Sequence, residues 1–175
     1  MIYFFIFNLF IISVYSQCMD GTYLSGSSCL LCNAGHYCKN GKQTKCPVGT
    51  FQAYQFQSSC MDCPAGTYQS STGQTTCEYC PAGTYCPNVK TGTPTKCAKG
   101  TFNPGVGQTA CIKCPAGYAC PSEGLTSIDN QLCPPGTYSD TEGLSACKKC
   151  LAGYYCPASG MAIGNYYYSH KTLAY

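Results

Sequence analysis

The sequence predicts a small disulfide-rich fold: an elongated tandem array of short β-hairpins and loops, with little helix outside an N-terminal signal peptide. Three observations predict it. First, 18 of the 175 residues are cysteine, about a tenth of the chain and an even number, as full pairing requires. Second, nine of these cysteines each head a repeat: Cys18, Cys32, Cys46, Cys63, Cys80, Cys97, Cys114, Cys133 and Cys150. Each head is followed three residues later by a glycine (Gly21, Gly35, Gly49, Gly66, Gly83, Gly100, Gly117, Gly136 and Gly153). In eight of the nine an aromatic comes two residues after that (Tyr23, Tyr37, Phe51, Tyr68, Tyr85, Phe102, Tyr138 and Tyr155); the seventh repeat has Ala119 there and Tyr118 one place early. Third, long apolar residues are scarce after residue 16, so cross-links must supply what burial cannot. Repetition of one cysteine-headed unit points to an array and away from an enzyme.

The elements follow in chain order. Met1 to Ser16 (MIYFFIFNLFIISVYS) is apolar apart from Asn8 and its serines. It is short for a membrane span, and Val14 and Ser16 form a small-residue cleavage site before Gln17. With cysteine-rich sequence directly behind it, this segment reads as a secretory signal peptide rather than an uncleaved anchor or a buried strand. Residues 17–62 hold the first three repeats, 63–120 the repeats of 17-residue period, 121–156 the last two repeats, and 157–175 a Tyr-rich tail. No later stretch has the character of a membrane span or a lipid-anchor signal. The expected location is therefore extracellular or the cell surface, with a membrane reached only through a missing anchor or an uncleaved signal.

Within a repeat each residue type has a task. Proline after the head (Pro47, Pro64, Pro81, Pro115, Pro134) suits the first corner of a turn. The glycine two residues on supplies the positive φ that a tight reversal needs. The Thr-Tyr or Thr-Phe pair reads as a very short strand, its ring packing on a disulfide or on the next repeat. Glycines at Gly73, Gly107 and Gly143 mark a second turn, and Phe56 breaks that pattern in the third repeat.

Each head has one further cysteine, in one of two places. In short repeats it comes six residues later: Cys32/Cys38, Cys80/Cys86, Cys114/Cys120 and Cys150/Cys156. In long repeats it comes 14 residues later, or 11 in the first: Cys18/Cys29, Cys46/Cys60, Cys63/Cys77, Cys97/Cys111 and Cys133/Cys147. A bridge closing a loop of about 15 residues stabilises by roughly 3 kcal/mol in the chain-entropy view. Several such bridges can hold a chain with almost no core. Each repeat is expected to touch mainly its neighbours, which makes a rod.

The run Cys-Pro-Ala-Gly-Thr-Tyr, then a variable loop and Cys-x-x-Cys-Pro-Ala-Gly, resembles ephrin-receptor-like cysteine-rich repeats and the modules of tumour necrosis factor receptor ectodomains. The best copies are Cys63 to Tyr85, Cys97 to Tyr118 and Cys133 to Tyr155, and the resemblance extends over residues 18 to 156. The array behind an Ile/Phe/Tyr-rich leader is also similar to the cysteine-rich surface and secreted proteins of ciliates. Receptor modules of the tumour necrosis factor type imply head-to-closing pairing in the long repeats, such as Cys46 with Cys60. Modules like epidermal growth factor imply crossed pairing instead, such as Cys18 with Cys32 and Cys29 with Cys38. The sequence leaves both open.

The expected role is structural or protein-binding, without catalysis, and the expected partners are extracellular proteins or surface-coat components. A fragment of a receptor ectodomain is the first alternative and a zinc-binding thiolate protein the second. The zinc alternative rests on the tandem pairs Cys60/Cys63 and Cys77/Cys80, whose spacing approximates a four-thiolate site. Behind a secretory signal such thiols are oxidised, so no metal or other cofactor is expected. Redox chemistry at a Cys-x-x-Cys needs a helix N-terminus that nothing here predicts. His36 and His170 are far apart and lack a nucleophile context, so no catalytic residue is assigned. A net charge of +3 carried by lysine, with no arginine, excludes nucleic acid as a partner. Tyr166–Tyr168 read as an ordinary strand or chain end, and the lysines, including Lys39, Lys42, Lys45, Lys148 and Lys149, as a solvated face rather than a grip on acidic glycans.

Overall fold

A threonine at the fourth place after the head has a second use that its strand propensity hides. In Thr22, Thr50, Thr67, Thr84, Thr101 and Thr137 both the backbone N–H and the hydroxyl donate to the carbonyl of the residue after the head. That double bond to Met19, Pro47, Pro64, Pro81, Ala98 or Pro134 fixes the turn, and the chain leaves it as a strand. The computed structural model describes residues 18–152, 154 and 156–162. The signal-peptide segment, Gly153, Tyr155, Tyr166–Tyr168 and His170 lie outside the described residues.

Among the described residues fourteen short strands follow one another: β1 (Thr22–Ser25), β2 (Ser28–Leu31), β3 (His36–Lys39), β4 (Lys42–Lys45), β5 (Thr50–Phe51), β6 (Met61–Asp62), β7 (Thr67–Tyr68), β8 (Glu78–Tyr79), β9 (Thr84–Tyr85), β10 (Thr95–Lys96), β11 (Thr101–Phe102), β12 (Ile112–Lys113), β13 (Thr137–Tyr138) and β14 (Lys148–Lys149). They pair consecutively into seven two-stranded antiparallel hairpins. The seventh repeat, with Ala119 in the aromatic place, forms only an isolated bridge between Tyr118 and Leu132. Among the described residues there is no helix, hence none long and apolar enough to cross a membrane. The disulfide-rich hairpin array predicted from the sequence is what forms.

The register explains the Cys-x-x-Cys pairs. Their two middle residues are the return strand, paired with the Thr-aromatic of the same hairpin: Phe51 faces Met61, Tyr68 faces Glu78, Phe102 faces Ile112 and Tyr138 faces Lys148. Residues opposed in an antiparallel pair share a face and interact directly. Partner chemistry follows the ring: the two phenylalanines face Met and Ile. Tyr68 donates its hydroxyl to Glu78 at 2.9 Å, and the Lys148 ammonium sits 5.9 Å from the Tyr138 ring centre. These rings thus lie along their own hairpins, not only on a disulfide or the next repeat.

The chain divides into two compact bodies, residues up to 79 with 88–93, and residues 80–87 with those from 94 on. The cut runs through the fifth repeat because a repeat's outer loop packs on the head before it. In the first body Lys90 N–H donates to Cys63 O and Thr91 O accepts from Gln69 N–H. The same loop-to-head bond recurs within each body: Phe56 to Cys32 and Gly73 to Cys46 in the first, Gly107 to Cys80, Gly124 to Cys97, Gly143 to Cys114 and Gly160 to Cys133 in the second.

The tie reaches further than the adjacent repeat. A Cβ on Gly35 would lie 2.2 Å from Gly73 O and one on Gly49 2.3 Å from Lys90 O, two repeats on. In the second body Gly83 meets Gly124 O, and Gly100 meets Gly143 O at 2.1 Å, in the same way. With no side chain at these glycines, the backbone of the next-but-one repeat comes into contact within each body, in addition to that of the adjacent repeat. The core is correspondingly narrow. Within each body it is a file of fully buried head cysteines, Cys32, Cys46 and Cys63 in the first and Cys80, Cys97, Cys114 and Cys133 in the second, and most large apolar side chains remain outside.

Candidate functional site

All 18 cysteines are paired, and every bridge is closed within its own repeat. In the long repeats the heads bond their closing partners as Cys18–Cys29, Cys46–Cys60, Cys63–Cys77, Cys97–Cys111 and Cys133–Cys147. The short repeats do the same, as Cys32–Cys38, Cys80–Cys86, Cys114–Cys120 and Cys150–Cys156. Of the two pairings left open by sequence, the crossed one is absent. Cα separations of 5.5 Å at Cys18–Cys29 and 5.8 Å at Cys63–Cys77 lie in the ordinary range for a disulfide. The two ends of a long bridge differ in environment. The heads Cys46, Cys63, Cys97 and Cys133 are buried, whereas the closing cysteines Cys60, Cys77, Cys111 and Cys147 are only half-buried and Cys29 is exposed. Cys111 and Cys147, like Cys60 and Cys77, end the outer loop and so lie beside the buried file rather than in it. The bridges also take up Cys60, Cys63, Cys77 and Cys80, the thiols that the zinc alternative requires. No group of residues able to hold a metal ion occurs among the described residues.

The sixth place after the head holds the closing cysteine of a short repeat, and its occupant in the long repeats is a feature that the sequence reading missed. In short repeats it is the closing cysteine and is buried: Cys38, Cys86, Cys120 and Cys156. In four long repeats the same place is Gln52, Gln69, Asn103 or Ser139, and these polar residues are buried too. A buried amide without partners costs about 1–3 kcal/mol, and none of these is left so. Gln52 Nε2 donates to Ser59 O at 2.8 Å, and its Oε1 accepts from Tyr54 N–H at 3.1 Å. Gln69 repeats this with Thr76 O and Ser71 N–H. Asn103 Nδ2 donates to Thr84 O at 2.8 Å in the preceding repeat, and its Oδ1 accepts from Gly105 N–H. The clue was available: the residue after the Thr-aromatic pair is Gln, Gln, Asn or Ser wherever it is not cysteine, Leu24 of the first repeat excepted.

The tenth place corrects a second expectation. Phe56 interrupts the glycine pattern only in residue type: its φ is 62°, and it makes the same loop-to-head bond as its glycine counterparts. Lys90 does likewise at φ 61°. Non-glycine residues in this region are strained, so the surrounding bonds must hold them there.

The Tyr68 hydroxyl is pushed up, first by its hydrogen bond to Glu78, then by burial and by the charge of that carboxylate. Asp140 is pulled down, chiefly because Lys148 donates to its carboxylate at 2.6 Å. The other ion pair among the described residues joins Lys90 and Asp62 at 3.6 Å. His36 Nδ1 lies 3.1 Å from Ala34 O and donates to it within its own turn.

One open recess of about 280 Å³ lies in the first body, lined by Tyr37, Lys39, Pro47, Thr50, Ser58, Ser59, Cys60, Asp62 and Lys90. A smaller hollow in the second body, about 210 Å³, is lined by Ala119, Pro121, Asn130, Gln131, Leu132, Ala146 and Cys147.

Residues 42–73 and, overlapping them, 49–93 match the family described as tyrosine-protein kinase ephrin type A/B receptor-like. The matched stretch spans the third and fourth repeats and reaches past the head of the fifth. No curated protein matches the chain.

Proposed function

We propose, from the premise that this is an ephrin-receptor-like cysteine-rich repeat protein, that it works outside the cell as a secreted or surface-exposed module with a structural or protein-binding role and no catalysis. The observation that carries the reading is the complete pairing of 18 cysteines in nine intra-repeat disulfides. Such a scaffold needs an oxidising compartment, and the ephrin-receptor-like repeats fit an extracellular location. The apolar leader, Met1 to Ser16, supplies the route there. Buried polar groups are spent on backbone bonds, which suits a module that presents a surface. The matched family favours a second reading, a ligand-binding receptor ectodomain.

The test is expression with the native leader in a eukaryotic secretory cell. Export into the medium, a new N-terminus at Gln17 and no alkylation before reduction are the expected results. Retention inside the cell with many free thiols sinks the proposal and brings the zinc alternative forward. Saturable capture of the exported chain by one surface protein selects the receptor reading; dense incorporation into a coat selects the structural one.

A further inference from the structure

The hairpin of β3 and β4 carries an arrangement that the scaffold does not explain. Tyr37 and Lys39 are two residues apart on β3 and so share a face. Their partners across the hairpin, Thr44 and Lys42, share it as well. The opposite face is occupied structurally: Cys38 is bonded to Cys32, and the Lys45 stem packs against Gly73. Lys39 therefore stands directly opposite Lys42, both exposed, in a pairing that repels and destabilises. Neither takes part in the ion pairs found among the described residues. No Asp or Glu occurs between Asp20 and Asp62, so nothing in that stretch of sequence offsets them.

Tyr37 and Lys39 also line the recess, together with Ser58, Ser59 and Lys90. Lys90 reaches it from a backbone position at φ 61° where the neighbouring fourth repeat uses Gly73. Strain of this kind at a loop tip places a cationic side chain where the repeat pattern calls for none. Asp62 is the recess's single carboxylate, and it lies 3.6 Å from the Lys90 ammonium. The net character is cationic, with a flat ring and hydroxyls beside the charges.

We propose that this recess binds an acidic polysaccharide, a sugar ring lying over Tyr37 and its sulfate or carboxylate groups held by Lys39 and Lys90 in the recess and by Lys42, opposite Lys39, at its edge. Ammonium groups are point charges that suit scattered anionic substituents, and the arginine forks that favour phosphodiester backbones are lacking. The expectation that these lysines form a merely solvated face gives way, for Lys39 and Lys42, to their forced opposition beside a polar recess. The proposal stands whether or not the chain also has a protein partner.

The test is calorimetric titration of the full oxidised chain at about 0.15 M salt, where long-range attraction is largely screened. Heparin oligosaccharides carry the sulfate arm, polygalacturonate oligosaccharides the carboxylate arm, and dextran is the neutral reference. Binding of either acidic glycan but not dextran is expected, and the arm that binds names the anionic group. The double variant Lys39→Gln/Lys42→Gln should lose about tenfold or more in affinity, and Lys99→Gln/Lys149→Gln, surface lysines of the second body, should lose none. Failure of both acidic glycans to bind overturns the proposal. So does unchanged binding by the first variant, an equal loss in the second, or equally tight binding of duplex DNA or phosphatidylserine vesicles.

Discussion

The first two repeats and the later ones solve the same problem differently. Heads recur every 14 residues at the start and every 17 from Cys46 to Cys114. Repeats one and two close with two-residue turns, Gly26-Ser27 and Asn40-Gly41, between strands of four residues. Positive φ at both Asn40 (52°) and Gly41 (71°) is what the tight primed hairpin turn requires. The third repeat onward replaces that turn with a loop. Its tenth residue bonds the preceding head, as Phe56, Gly73 and Lys90 do in the first body, and its strands shrink to two residues. Three extra residues shorten the local ladder and add the bond from the tenth residue to the preceding head. The first hairpin has long strands but little cover, with Leu24, Leu30 and Leu31 all exposed.

The largest test of this contrast is at glycine. Gly83→Ala places a Cβ 2.3 Å from Gly124 O while retaining φ +77°, so chemical denaturation should show a loss of about 3 kcal/mol or more, or failure to fold. Gly26→Ala in the tight-turn region meets nothing within 4 Å and should lose only about 1 kcal/mol, the cost of positive φ. Equal losses at the two sites would mean that the close approach between repeats is not holding the array.

The sixth place separates the regions next. Asn103→Leu strips the bonds to Thr84 O and Gly105 N–H from a buried site and should cost about 2 kcal/mol in the same assay. Leu24→Asn, at the equivalent but exposed place of the first repeat, should stay within about 0.5 kcal/mol.

Smaller effects have the opposite sign. Lys90→Gly releases strain at φ 61° and should raise stability by about 0.5–1 kcal/mol, visible as a higher denaturation midpoint. Asn40→Gly should gain less, because asparagine tolerates this conformation better than lysine.

The least change is expected in the eighth repeat. Hydrogen bonding from Lys148 holds Asp140 below the usual carboxylate range, so folding favours its ionised form. Its contribution is complete above that range and disappears as pH falls through the lowered value. Stability of the wild type and of Asp140→Asn should therefore differ slightly near neutrality and converge in acid. The Lys148 side of the pair is exposed, and solvent screening there keeps the effect small.

What was legible in the sequence was whatever depends on short range. The Cys-x-x-Gly-Thr-aromatic run encodes a turn followed by a strand start, because φ at Gly and the β preference of Thr-Tyr act within five residues. The cysteine tally implied an even, fully bridged set for the same reason of composition. Which half of a bridge is buried was not legible: Cys97 and Cys111 look alike in sequence, yet only Cys97 joins the buried file, and Cys133 and Cys147 divide in the same way. Less legible still were Gln52, Gln69 and Asn103. A polar residue beside an aromatic looks like surface until the next repeat is laid over it. Phe56 looked like a defect because sequence displays side chains, whereas the bond to Cys32 O is made by its backbone N–H.

By itself, then, the sequence determined a disulfide-rich array of hairpins, the two repeat forms and the positions of the turns, all properties that neighbouring residues settle among themselves. Tertiary structure alone decided that each head closes on its own repeat and that glycines such as Gly35 and Gly83 accept backbone from two repeats ahead. It also decided that Tyr37 and Lys39 open onto a recess shared with Lys90. The physical reason is common to all three. Each depends on atoms brought together across repeats or across a hairpin, and spacing along one chain does not specify which surfaces will meet.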